Sequence, residues 1–118
     1  MTNMKVACMA IVMCMMVVST TQAPVRPICD LVKITLADCL DYLTGGVKDP
    51  SSLCCDGVKE LSTRANTTAI RQKACNRAKD IAMHTSNFNN LRGSGLGLRC
   101  STLLPFPISS NADCTRVR

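Results

Sequence analysis

The chain has 118 residues, 47% hydrophobic, 19% charged and 3% aromatic, a size that suits one compact domain and excludes two or more independent ones. It carries a formal charge of +6, but no Trp and only three Phe and Tyr, too few rings for a single-stranded nucleic-acid platform. Nine cysteines point to a disulfide scaffold in an oxidising compartment and away from a cytosolic enzyme.

Residues 1–23 read as a secretory signal. One early cation, Lys5, precedes an uncharged apolar run from Val6 to Val18, and Ser19-Thr20-Thr21-Gln22-Ala23 supplies a small polar end. Thirteen apolar residues fall short of the roughly 20 that a spanning helix needs. Cleavage is expected after Ala23, or a few residues earlier because Pro24 follows directly. The domain is then 24–118, 95 residues with thirteen cations against eight acids, a charge of +5. Cys8, Cys14 and six of the seven Met leave with the signal.

In the mature chain, Val32, Leu36, Cys39, Leu40 and Leu43 form one helical stripe, and Thr44-Gly45-Gly46 ends it. A second helix is expected with Asp49 as N-cap and Pro50 in its first position, followed by Leu53, Cys54, Cys55, Val58 and Leu61. Gly57 predicts that it is short. Asn66 or Thr67 caps a third helix with the stripe Ile70, Ala74, Ala78 and Ile81 and an outer face of Arg71, Lys73, Arg77 and Lys79. The segment from Asn87 to Gly97, rich in Asn and Gly, predicts at most a short helix around Leu91 and then a loop. After Cys100, two prolines break the run Thr102-Leu103-Leu104-Pro105-Phe106-Pro107-Ile108, which predicts an irregular coil laid over the helices.

Little in this chain suits catalysis. The single histidine, His84, reads as a surface residue, and Gly93-Ser94-Gly95 lacks the G-x-S-x-G pattern of a nucleophile turn. Adjacent Cys54 and Cys55 do not make a C-x2-C zinc pair, and oxidised cysteines do not ligate, so neither metal nor cofactor is expected. Asn66-Thr67-Thr68 is a glycosylation sequon. The seven cysteines left in the mature chain are odd in number, and three bridges among them allow roughly a hundred connectivities.

The cysteine order C-x9-C-x14-CC-x19-C-x24-C-x13-C resembles that of the type 1 plant non-specific lipid transfer proteins. The likeness extends to Cys29-Asp-Leu-Val32, Leu40-Asp-Tyr42-Leu43-Thr44-Gly45-Gly46, Cys54-Cys55-Asp-Gly57-Val58, Thr67-Thr68-Ala69-Ile70-Arg71-Gln72 and Pro105-Phe106-Pro107-Ile108-Ser109. The resemblance implies an all-α, compact four-helix bundle, stapled by disulfides, with an irregular C-terminal coil around an apolar tunnel. It also implies a secreted monomer, in the cell wall or apoplast of a plant, that carries fatty acids, phospholipids and other acyl lipids between membranes. Transient contact with a membrane or cell-wall surface goes with that role. By match to the family, Val32, Leu36, Leu40, Val58, Leu61, Ala74, Ala78, Ile81, Leu96, Leu104, Phe106 and Ile108 line the tunnel, and Arg71 stands near the ligand's polar end. A guanidinium there can bind carboxylate or phosphate through paired hydrogen bonds.

Three departures from the family pattern stand out. Its fifth and sixth cysteines form C-x-C, whereas this chain reads Cys75-Asn76-Arg77. Type 1 pairing then implies Cys39–Cys54, Cys55–Cys100 and Cys75–Cys114, with a free thiol at Cys29; the other family type would join Cys29 to Cys75 and strand Cys114. The motif acid of Thr-x-x-Asp-Arg is replaced by Ile70, and the motif tyrosine of Pro-Tyr-x-Ile-Ser by Phe106, which predicts weaker head-group selection. The alternative function is defence, by attack on anionic membranes or inhibition of digestive enzymes, motivated by the +5 charge.

Overall fold

The computed structural model describes residues 26–118, all of it helix, turn and coil. The signal segment and its cleavage site lie outside the described residues. Five α-helices follow in order: α1 Ile28–Asp38, α2 Leu40–Leu43, α3 Ser52–Arg64, α4 Thr68–Met83 and α5 Asn90–Arg99, before a single 3-10 turn at Cys114–Arg116. α1 packs against both α3 and α4, and α5 joins α2 and α3 at the other side of the core.

The expected first helix is two. Its stripe is interrupted at Cys39, and α2 is a single turn beyond it. Gly45, at φ 85°, then takes the left-handed conformation that ends the segment, and the Gly46 amide returns to the Asp41 carbonyl at 2.7 Å.

The start of α3 corrects the assignment of Asp49. Ser51 is the N-cap, its hydroxyl accepting from the Cys54 amide at 3.1 Å, while the Asp49 carboxylate pairs with Arg99. Such a cap is worth about 1 kcal/mol. The helix also runs 13 residues, longer than its glycine suggested. Gly57 is there for close approach: a Cβ would lie 2.7 Å from Thr35 Oγ1 on α1. Of the two candidate caps for α4, Thr67 serves, accepting from the Ile70 amide at 3.1 Å.

The larger correction is α5. The glycine-rich stretch read as mostly loop is a ten-residue helix, capped by Asn89, whose side chain accepts from the Arg92 amide. Gly93 and Gly97 sit one turn apart on its buried face. A Cβ at Gly93 would fall 2.1 Å from the Ile108 carbonyl oxygen, and one at Gly97 would fall 3.0 Å from the Thr102 oxygen and the Leu104 Cβ. The coil's backbone lies directly on this helix, and the weak helix propensity of glycine (about 1 kcal/mol each) is set against that contact.

Three disulfides tie the elements: Cys39 to Cys54, Cys55 to Cys100 and Cys75 to Cys114. Cys29, half-buried on α1, is a free thiol.

Candidate functional site

Eleven of the twelve apolar candidates meet in one cluster. α1 supplies Val32 and Leu36, α3 Val58 and Leu61, α4 Ala74, Ala78 and Ile81, and α5 Leu96; the coil closes over them with Leu104, Phe106 and Ile108. Ile81 and Leu104 are half-buried at its edge. Leu40 stands apart, 37% exposed. Eight residues at about 100° each put it roughly 80° round from Val32, at the margin of the stripe, and the break at Cys39 intervenes as well.

The expected tunnel is not open along these side chains. Val32, Val58, Leu61, Ala74, Ala78, Leu96 and Ile108 are each 0% exposed, so no water-sized space borders them. The cluster is closed as an ordinary core is closed. Grooves lie at its surface: one of about 460 Å³ between α5 and the coil, from Leu98 and Leu103 to Leu104 and Phe106, and another of about 500 Å³ that shares Leu98, Thr102 and Leu103 with it. A third of about 280 Å³ lies beside Arg26, Asp30 and Lys33.

Several members of the cluster lie outside the tunnel candidates. Leu31, Tyr42, Leu43, Ala65, Ala112 and Val117 all belong to it. Leu43 was legible from its place in the first stripe. Ala112 and Val117 had no periodicity to mark them, because the segment that carries them is not helical.

The coil is held by few polar bonds. Ser62 Oγ donates to the Leu103 carbonyl at 2.8 Å, and Asn90 meets Ser110 through both side-chain atoms, at 2.9 and 3.0 Å. Gln72 Nε2 donates to the Val117 carbonyl at 3.0 Å. Arg71 donates from Nε to the Ala65 carbonyl at 2.8 Å and from Nη1 to the Arg118 carbonyl at 3.1 Å. It therefore clamps the chain's C-terminus to the end of α3, and these bonds leave Nη2 for a further acceptor.

Two buried polar atoms have no partner among the described residues: Thr35 Oγ1 and Arg77 Nε. Arg77 occupies the position of the absent sixth cysteine and reaches Asp80 at 3.4 Å. His84 is exposed and bonds the Asp80 carbonyl at 2.8 Å, as a surface residue would. Near the C-terminus, the Thr115 hydroxyl, donating at 2.6 Å, is the main cause that holds the Asp113 carboxyl below its ordinary pKa.

The description of the protease inhibitor/seed storage/LTP family matches residues 9–114 of the chain. A non-specific lipid-transfer protein of Lens culinaris is 40% identical over 116 residues, 98% of this chain and 97% of its own. The barley non-specific lipid transfer protein solved in complex with L-alfa-lysophosphatidylcholine is 34% identical, with a TM-score of 0.69 over 76% of this chain and 98% of its own. A wheat non-specific transfer protein complexed with two molecules of phospholipid is 42% identical, with a TM-score of 0.66 over 75% of this chain and 98% of its own.

Proposed function

Since the chain belongs to the protease inhibitor/seed storage/LTP family and, within it, to the non-specific lipid-transfer proteins, we propose that it is a secreted, monomeric carrier that holds acyl lipids and exchanges them between membranes. The non-specific lipid-transfer proteins are carriers and not enzymes. The observation that carries the reading is the single apolar cluster drawn from four helices and roofed by an irregular coil.

To admit a chain, the coil from Leu104 to Ile108 lifts and the side chains beneath it part. At about 0.8 kcal/mol per methylene, a sixteen-carbon chain gains roughly 12 kcal/mol on leaving water. Lifting the roof costs about 0.5–1.5 kcal/mol for each hydrogen bond of the coil and about 1.5–3 kcal/mol each for exposing Phe106 and Ile108, which burial of the ligand's hydrocarbon offsets. The disulfides keep the helices in register while this happens. Because the gain scales with hydrocarbon and not with the head group, the carrier accepts fatty acids and phospholipids alike. Arg71 offers its free nitrogen to a carboxylate or phosphate at the mouth. Asn66, exposed just ahead of α4, is the acceptor for an N-linked glycan in a secreted chain, and the mass of the native protein reads it out.

The test is displacement of a fluorescent fatty acid. Wild type should bind and release the probe to competing lipid, and Arg71→Ala should bind it severalfold more weakly. Absence of any binding, together with leakage of anionic vesicles, would instead favour a membrane-attacking defence protein.

A further inference from the structure

We propose that Leu98 and Leu103, with Leu91 beside them, form the face on which this protein docks to an anionic lipid bilayer. The proposal rests on the carrier reading and assigns it a surface. These three leucines are 74%, 81% and 85% exposed, and a lone exposed leucine would mean nothing. They are not isolated. Leu91 and Leu98 are seven residues apart on α5, within about 20° of each other around the helix, and Leu98 and Leu103 together line both large grooves.

The scaffold holds them outward. The Leu103 carbonyl accepts from Ser62, the Thr102 amide donates to the Gly97 carbonyl at 2.9 Å, and Cys100 is bridged to Cys55. These ties fix the backbone from which both side chains project. The occupant is set by two further observations. From Ile81 to Ala112 the sequence has no Asp or Glu; Arg92 and Arg99 lie about 100° round α5 from the leucines, on one side, and since Asp49 neutralises Arg99, Arg92 leaves the face net positive and suited to an anionic surface. The 460 Å³ groove also runs from Leu98 and Leu103 to Leu104 and Phe106, two members of the apolar cluster. A lipid leaving the bilayer here reaches the roof of the interior along hydrocarbon. Shallow insertion of leucines with cations at the rim is the physics of interfacial attachment.

The test is co-sedimentation of the mature protein with vesicles of equal parts phosphatidylcholine and phosphatidylglycerol, run beside the fatty-acid displacement assay. The double variant Leu98→Gln, Leu103→Gln should lose at least tenfold in vesicle affinity and keep its fatty-acid binding. Leu91→Gln should lose severalfold, while Leu53→Gln, an exposed leucine on α3, should bind vesicles as wild type does. Vesicle binding unchanged in the double variant overturns the proposal. So does a wild-type dimer in sedimentation that the double variant abolishes without loss of vesicle binding, since the face would then belong to a second copy. A wild type that docks through these leucines but never binds the fatty acid would sink the carrier reading and leave the face standing.

Discussion

At the scale of single residues, one substitution reshapes the covalent framework. Arg77 stands in place of a cysteine, so Cys29 keeps its thiol and the start of α1 lacks a tether to α4. A missing native bridge costs a small secreted domain about 2–5 kcal/mol. Iodoacetamide labelling of the native chain followed by peptide mapping should find Cys29 modified and the six bridged cysteines protected; label on Cys114 in its place would refute the pairing. The identity of the odd sulfur could not be read by counting. The resemblance pointed to it, through the polar Asn76 that matches the type 1 pattern. Arg71 illustrates the opposite limit. Its side chain was legible as a donor near the ligand, but its bonds to the Ala65 and Arg118 carbonyls depend on where the C-terminus lies.

At the scale of elements, the helices with strong apolar periodicity were legible, and the one misread was α5. Propensity counts glycine as a breaker, yet Gly93 and Gly97 are the positions where a neighbouring backbone comes within reach. Gly93→Ala should therefore push the coil off the helix. It should cost about 1–3 kcal/mol, which in a domain of this size lowers Tm by roughly 5 to 20 °C. Gly95→Ala, with nothing within 4 Å of its Cβ, should stabilise the helix by about 1 kcal/mol. A rise in Tm for both variants would show that helix propensity, and not the coil contact, governs these glycines. The cap of α3 teaches a smaller lesson. Asp49-Pro50 has the composition of a helix start, but Ser51 has the hydroxyl three residues before a free amide, and Asp49 finds Arg99 across the fold.

At the scale of the whole molecule, the question is how a closed core carries cargo. Small side chains on α4, Ala74 and Ala78, keep the interior low in bulk, and disulfides replace part of the packing energy that a domain this small would otherwise need. Ala74→Phe adds a ring where there is no spare space. Fatty-acid affinity should fall at least tenfold while the three bridges still form. If this variant binds as tightly as wild type, the acyl chain does not enter the cluster.

The sequence by itself determined the class of molecule: the cysteine spacing, the helical stripes and the proline-broken tail carry the family, the all-α bundle and the roofing coil. Those signals are local, written in residue type and period. Only the tertiary structure decided that the cluster is shut along its length, that a glycine-rich segment is helical, and that Leu98 and Leu103 face outward while Leu104 and Phe106 turn in. Each of these depends on how closely one piece of backbone approaches another far away in the chain. A one-dimensional pattern holds no measure of that distance.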